Sequence, residues 1–262
     1  MEFGYRGKRC LVTASTGGLG FAIASAMAAE GATVVLNGRT ETSVRSAIDR
    51  LKTAVPDADL EIAVGNTGSA DGCAAVSAAC PDVDVLILNL GIYEAMDIYE
   101  SGDERWHELI EINVMSSVRL ARHYLPRMLR RNRGRVVFIN SESAINPAPE
   151  LPAYSTTKTM QLSLARNLAE TTKNTNVTVN SVLPGPSATE GVANLIAGLY
   201  PDLERAEAER RFIAENRPTS LIQRLARPEE VADFVTFLAS DRTGIVNGAA
   251  LRIDGGLIRT VV

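Results

Sequence analysis

Histidine and cysteine are scarce in this chain, with two of the first and three of the second among 262 residues. Neither His107 nor His123 stands at ligand spacing from a cysteine or carboxylate cluster, so no metal site is expected. Cys10, Cys73 and Cys80 form no CxxC pair and sit in apolar or alanine-rich surroundings, which suits free thiols in a reducing cytoplasm. Long hydrophobic runs are also missing. The longest, residues 21–36, is broken by Glu30 and Gly31, and residues 1–9 have no apolar signal-peptide core. Neither a membrane span nor secretion is therefore expected, and Asn176-Val177-Thr178 is a chance match to a glycosylation acceptor. Positive charge is not in excess: the net charge is −4, which removes the electrostatic argument for nucleic acid. The basic run Arg127, Arg130, Arg131, Arg133 and Arg135 is assigned to a solvated helix end. No GxSxG occurs, so the usual hydrolase signal is absent.

What remains is ordinary globular composition, 45% hydrophobic and 22% charged, arranged in a regular alternation. Strand-like runs at 8–13, 32–37, 60–64, 83–89, 135–140, 177–183 and 249–253 are separated by segments with helical apolar spacing. The helices are placed at 17–30, 41–54, 70–79, 103–129, 153–172 and 191–216, with one more starting at Pro228. The run VDVLILN at 83–89 is apolar almost throughout, as in a strand covered on both faces. Seven strands alternating with helices predict an α/β, Rossmann-like, doubly wound and mainly parallel sheet with helices on both faces. No repeat, linker or low-complexity tract divides it, so residues 1–262 are expected to form a single domain.

The first strand-to-helix turn reads Thr13-Ala14-Ser15-Thr16-Gly17-Gly18-Leu19-Gly20. Glycines there let backbone approach a pyrophosphate, and the helix N-terminus that follows favours negative charge. The second strand ends in Asn37-Gly38-Arg39, without the acid that would accept from a ribose 2′-hydroxyl. A guanidinium at Arg39 can instead hold a 2′-phosphate, which points to NADP(H) ahead of NAD(H). Tyr154 and Lys158 stand four residues apart on one expected helical face, where a cation favours the phenolate of a nearby tyrosine. Ser141 follows a buried-looking strand, and Asn113 interrupts the apolar stripe Trp106, Leu109, Ile110 and Val114 of a long helix. An asparagine there calls for a functional or a helix-bending explanation.

With these residues in place the chain resembles the short-chain dehydrogenase/reductase family along its whole length, in the single-domain branch that includes 3-oxoacyl-carrier-protein reductases and sugar-type dehydrogenases. The family's TGxxxGxG turn corresponds to residues 13–20 and its NNAG segment to Leu88-Asn89-Leu90-Gly91. Its Asn-Ser-Tyr-Lys set falls on Asn113, Ser141, Tyr154 and Lys158. Its Pro-Gly turn with following Thr falls on Pro184, Gly185 and Thr189, and its Asp-Gly-Gly on Asp254-Gly255-Gly256.

The resemblance implies Tyr154 as general acid or base and Lys158 on the nicotinamide ribose and depressing the Tyr154 pKa. It implies Ser141 on the substrate oxygen and Asn113 anchoring a water of a proton relay. Cofactor contacts are expected from Thr13, Ser15, Thr16, Gly18, Leu19, Gly20, Asn37, Arg39, Asn66, Thr67, Asn89, Gly91, Tyr154, Lys158, Pro184, Gly185 and Thr189. Residues 190–220 are the implied substrate lid, and a homotetramer or homodimer built on 103–129 and 153–172 is the implied assembly.

The family pattern is broken at Ala14, Leu88, Leu90 and Asn66. Ala14 is tolerable if its φ stays negative. Ser143 competes with Ser141, and spacing favours Ser141. The expected activity is reduction of a ketone or 3-oxo group to a secondary alcohol, or the reverse. Acyl thioesters and sugar or polyol ketones both remain open as substrates. A catalytically silent NAD(P)-binding sensor or scaffold is the alternative.

Overall fold

The computed structural model describes residues 2–261. Its first half alternates β1 (Arg9–Val12), α1 (Gly18–Ala29), β2 (Thr33–Gly38), α2 (Glu41–Ala54), β3 (Asp59–Val64), α3 (Ala70–Ala79) and β4 (Val85–Leu88). Next, α4 (Asp103–Leu109) passes through a π-helical segment (Ile110–Met115) into α5 (Ser116–Arg131), followed by β5 (Gly134–Ile139) and α6 (Pro152–Glu170). The chain closes with β6 (Val177–Pro184), α7 (Glu190–Leu199), α8 (Arg205–Asn216), α9 (Pro228–Leu238) and β7 (Ala250–Ile253). The sheet order is β3-β2-β1-β4-β5-β6-β7, and every neighbouring pair is parallel.

Strand composition follows from burial on both faces. Cys10 and Val12, Val34 and Leu36, Val85 and Ile87, and Val137 and Ile139 point to one core with Ile23, Met27, Val231 and Val235. The alternate residues Leu11, Val35, Leu86, Leu88, Val136 and Phe138 meet Val76, Leu120, Tyr124, Met128 and Ala165 in a second core. Each fully buried Leu, Ile or Val side chain contributes about 1.5–3 kcal/mol, so neither face tolerates a polar residue cheaply. All three cysteines are free and buried within these layers. Among the described residues no helix is long and apolar enough to cross a membrane.

Three expectations change. The helix expected over 103–129 is interrupted at the π-helical segment, with Asn113 inside it, which is the helix-bending explanation. The helical insertion expected over 191–216 is two helices, because the residue before Pro201 is driven out of helical geometry: Tyr200 sits at φ −132°. Arg135 is not on a solvated helix end. It lies in β5, buried, where its guanidinium donates to the carbonyls of Asn176 (2.8 Å) and Ser240 (3.2 Å).

The β1–α1 turn is held by side chains from two other strands. Ala14 adopts φ +50°, so the condition for an unstrained alanine is not met: this left-handed conformation costs a residue with a Cβ roughly 1–2 kcal/mol. Asn37, at the end of β2, accepts from the Ala14 N–H (3.0 Å) and donates to the carbonyls of Ala63 (2.8 Å) and Gly65 (3.0 Å). Asn89, just past β4, donates to the carbonyls of Thr13 (2.9 Å) and Ala14 (3.3 Å). The Thr13 hydroxyl accepts from the N–H groups of Asn89 (2.8 Å) and Leu90 (3.1 Å). Gly20 is required beside this knot, since a Cβ there would lie 2.5 Å from the Ala14 carbonyl oxygen.

The knot makes opposite predictions for its two kinds of residue. Ala14→Gly relieves the left-handed strain and should raise the melting temperature by about 2–4 °C, the equivalent of about 1 kcal/mol at this size. Asn37→Ala strands one buried donor and two acceptors and should destabilise by on the order of 2–4 kcal/mol in denaturant unfolding.

Candidate active site

In an open parallel sheet the crevice forms where successive connections leave a central strand in opposite directions. Here that point lies between β1 and β4. A cleft of about 940 Å³ runs from it along the carboxyl edge of the sheet. Its near end is lined by Ala14, Gly17, Gly18 and Leu19, and its middle by Asn89, Gly91, Ser141, Tyr154 and Lys158. Pro184, Gly185 and Thr189 form the far wall, and α7 and α8 cover it with Leu195, Leu199 and Phe212. These two helices share a small apolar cluster of their own, centred on Ile196, Phe212 and Ile213.

Tyr154 and Lys158 are on α6, one turn apart, with the Lys158 Nζ 5.6 Å from the Tyr154 ring centroid. Burial drives the Lys158 pKa down to about 7, since no carboxylate offsets the loss of hydration. Its ammonium donates to the Ile139 carbonyl (3.0 Å), its one hydrogen bond among the described residues, while an ammonium carries three donors. Tyr154 is half-buried and its pKa is raised, first by desolvation and next by the charge of Glu142. The Ser141 hydroxyl acts in the opposite direction. Tyr93, from the loop after β4, packs edge-on against Tyr154 at 5.4 Å between centroids.

Ser141 ends up beside a carboxylate. Its hydroxyl donates to Glu142 Oε2 (2.6 Å) and accepts from the Ser143 N–H (3.1 Å). Ser143 lines the cleft as well, and its N–H holds the Ser141 hydroxyl. Glu142 is 4% exposed and pairs with Arg217 Nε at 3.1 Å, while Arg217 Nη1 reaches Glu150 at 2.7 Å. Glu142, Arg217 and Tyr93 were not singled out by the sequence. A charged residue in a loop or at a helix end reads as solvated until packing places it.

Asn113 does not line the cleft. Its side chain bridges the Ile92 N–H (2.8 Å) and carbonyl (2.9 Å) to the Thr157 hydroxyl (3.0 Å). Its main-chain carbonyl accepts from Gln161 Nε2 at 2.6 Å. Both side-chain groups and the carbonyl are therefore engaged inside the chain.

At the other end, Thr13, Ser15 and Asn37 are buried: the Thr13 hydroxyl donates to the Ile87 carbonyl (3.2 Å), and the Ser15 hydroxyl accepts from the Asn37 N–H (2.9 Å). They shape the glycine turn from behind. Thr16 offers its carbonyl to Arg50, and Thr67 is buried with its hydroxyl 3.4 Å from Asn37 Oδ1. Arg39 and Asn66 are exposed at the tips of β2 and of the β3–α3 connection. Arg39 makes no ion pair or hydrogen bond among the described residues. Leu88, the departure from the family's asparagine, is consumed by the second core.

The residues fit a dinucleotide. Gly91 lies so close to Lys158 that a Cβ would stand 3.2 Å from its Nζ, leaving free space and two free N–H donors where ribose hydroxyls would be held. Gly17 and Gly18 open the N-terminus of α1 at the point where phosphate charge is favoured.

The chain is similar to known proteins along nearly its whole length. A family profile described as enoyl-(acyl carrier protein) reductase matches residues 13–258. "Uncharacterized oxidoreductase YvaG" of Bacillus subtilis is 52% identical over 263 residues, covering 100% of both chains. Dehydrogenase/reductase SDR family member 4 of Bos taurus is 32% identical, over 95% of this chain and 86% of its own. The structure of L-sorbose reductase from Gluconobacter frateurii, complexed with NADPH and L-sorbose, superposes with a TM-score of 0.91 at 30% identity over 100% of both chains.

A buried lysine with a lowered pKa leaves a mark on stability. Between its folded pKa of about 7 and its ordinary value of 10.5, the unfolded chain binds the extra proton, so stability rises with pH. The cofactor-free protein should gain stability between pH 7 and 8.5, with a slope approaching about 1.4 kcal/mol per pH unit. Lys158→Met should lose that slope in denaturant titrations run across the window.

Proposed function

Because this chain is a member of the short-chain dehydrogenase/reductase family, we propose that it reduces a ketone or 3-oxo carbon to a secondary alcohol, or runs the reverse, with NADP(H) preferred over NAD(H). The observation that carries the reading is the pairing of a buried, under-bonded Lys158 ammonium with Tyr154 at the wall of a cleft that begins at a glycine turn. A pure binding module has no physical need of a buried acid of this kind.

When bound, the nicotinamide gives or takes the hydride. Tyr154 donates its phenolic proton to the carbonyl oxygen in reduction and accepts the alcohol proton in oxidation. Ser141 holds the same oxygen by a hydrogen bond. Lys158 holds ribose hydroxyls with the donors Ile139 does not use. Asn113 acts at a distance, keeping Ile92 and Thr157 fixed around the Lys158 side. Gly18, Leu19, Asn89 and Gly91 contact the cofactor directly, Pro184, Gly185 and Thr189 border the nicotinamide, and Asn66 and Thr67 face the adenine. Thr13, Ser15, Thr16, Gly20 and Asn37 serve by shaping the turn.

The preference for NADP(H) rests on Arg39. With Asn37 turned inward and no acid at the end of β2, the exposed guanidinium is free to hold a 2′-phosphate. The chain works as one domain, with α7 and α8 as the substrate lid. We place self-association on the apolar groove between α5 and α6, lined by Val118, Leu125, Leu129, Leu164 and Leu168.

Three measurements check this reading. NADPH oxidation should be seen with at least one ketone among acetoacetyl-N-acetylcysteamine, L-sorbose and 2,3-butanedione. Tyr154→Phe should lower it by at least about 100-fold, and equal activity in that variant would overturn the mechanism. Arg39→Ala should weaken NADPH binding by about 10-fold or more, the cost of a lost charge-assisted hydrogen bond, and leave NADH binding unchanged. A solution molar mass equal to one chain would exclude the assembly.

A further inference from the structure

A serine hydroxyl has one proton to donate. Ser141 gives it to Glu142: the hydroxyl donates to Oε2 at 2.6 Å and accepts from the Ser143 N–H at 3.1 Å. Holding a substrate carbonyl oxygen requires that same proton. Once Ser141 turns toward substrate, Oε2 of Glu142 is left without its partner, in a wall where Ser141, Glu142 and Arg217 are all buried and all line the cleft. The carboxylate is not free to turn away. Its other oxygen, Oε1, accepts at 3.1 Å from Nε of Arg217, which ends α8. Arg217 is itself fixed, with Nη1 donating to Glu150 (2.7 Å) and to the Asn216 carbonyl (2.8 Å) and its guanidinium 5.3 Å from the Phe212 ring centroid. Glu142 is thereby clamped between the segment after β5 and the lid. Arg217 already answers its charge, so what Oε2 lacks when Ser141 has turned is a neutral donor.

We propose that Glu142 is the residue that selects the substrate: the ketone reduced at this site carries a hydroxyl on the carbon next to its carbonyl, and that hydroxyl donates to Glu142 Oε2 in the place that Ser141 leaves.

The two oxygens of an α-hydroxy ketone can lie syn, about one hydrogen-bond length apart, which is the spacing that the Ser141 hydroxyl and Oε2 already have. The exchange is one for one. Ser141 passes from Oε2 to the carbonyl oxygen, and the substrate hydroxyl replaces it on Oε2. Glu142 neither gains nor loses a proton, and the hydride and the Tyr154 proton move as described above. A buried charged acceptor left without a donor is penalised more heavily than a made hydrogen bond is rewarded, so discrimination falls mainly on ketones that lack the hydroxyl. A 3-oxoacyl thioester has no donor on either carbon beside its ketone and leaves Oε2 bare. Ketoses and other α-hydroxylated ketones satisfy it. Because the clamp on Glu142 comes from α8, the selection is made with the lid in the place seen here.

Glu142 acts in this way only on the ketone reduction proposed above, so the test compares ketones with one another. With saturating NADPH, kcat/KM is measured for hydroxyacetone, for butanone, in which a methyl replaces the hydroxyl, and for methoxyacetone, which keeps the electron-withdrawing oxygen but has no proton to donate. Hydroxyacetone should exceed butanone by about 100-fold, and methoxyacetone should side with butanone. Glu142→Met removes the acceptor and leaves Arg217 paired with Glu150, and it should cut the hydroxyacetone-to-butanone ratio to about tenfold or less. Glu142→Gln keeps the shape and a neutral acceptor, and its ratio should fall between the two. A role confined to holding Ser141 would lower all three ketones together and leave the ratio where it was. An unchanged ratio in both variants would therefore overturn the proposal while ketone reduction stands. Butanone matching hydroxyacetone in the wild type would do the same, as would methoxyacetone lying closer to hydroxyacetone than to butanone. No NADPH oxidation with these three ketones or with the earlier panel would overturn the reduction itself, and the role of Glu142 with it.

Discussion

The turn after β1 must bring backbone to the edge of the sheet without a side chain in the way, and Ala14 does this at φ +50°. An alanine does not rest there unaided. The turn persists because Asn37 and Asn89, arriving from β2 and β4, bond its N–H and carbonyl groups at 2.9–3.3 Å. The same two side chains tie the ends of β2 and β4 to the turn after the strand that lies between them. The mouth of the cleft, the start of α1 and the path of the chain toward Gly91 all follow from that knot. Had Asn37 been a solvent-facing residue at the end of β2, nothing else among its neighbours would supply both an acceptor for Ala14 and donors for Ala63 and Gly65.

The middle of the cleft is built on buried charge. Lys158 is left with one carbonyl partner among the described residues, which lowers its pKa and keeps donors free. Glu142 and Arg217 are paired, and the pair is itself bonded to Ser141 and Glu150. A buried ion pair adds little stability over an apolar substitute of the same volume. The π-helical segment belongs to the same economy of positions. It lets Asn113 reach Ile92 and Thr157 at once, and Gln161 takes up its main-chain carbonyl.

Family and the alternation of strands and helices were legible in the sequence, because each depends on spacing along the chain. Strand and helix periods are local, and so is the four-residue step from Tyr154 to Lys158. The misreadings share a cause. Arg135 was grouped with its basic neighbours, yet a β-strand turns alternate residues inward, and only its carbonyl partners from residues 176 and 240 show which way it faces. The left-handed φ of Ala14 is equally invisible locally, because the residues that hold it are 23 and 75 positions away.

The chain by itself determined the alternating α/β architecture, the glycine turn, the absence of an acid at Asn37 and the positions of the four family residues, since these are matters of residue type and short-range spacing. Only tertiary structure decided that Asn37 and Thr13 face inward, that Arg39 stands exposed, and that Glu142, Arg217 and Glu150 meet beside the cleft. Those outcomes depend on contacts across 67 and 75 residues of sequence. Side chains that far apart are brought together by the packing of helices on the sheet, and no local pattern of charge or hydropathy encodes that.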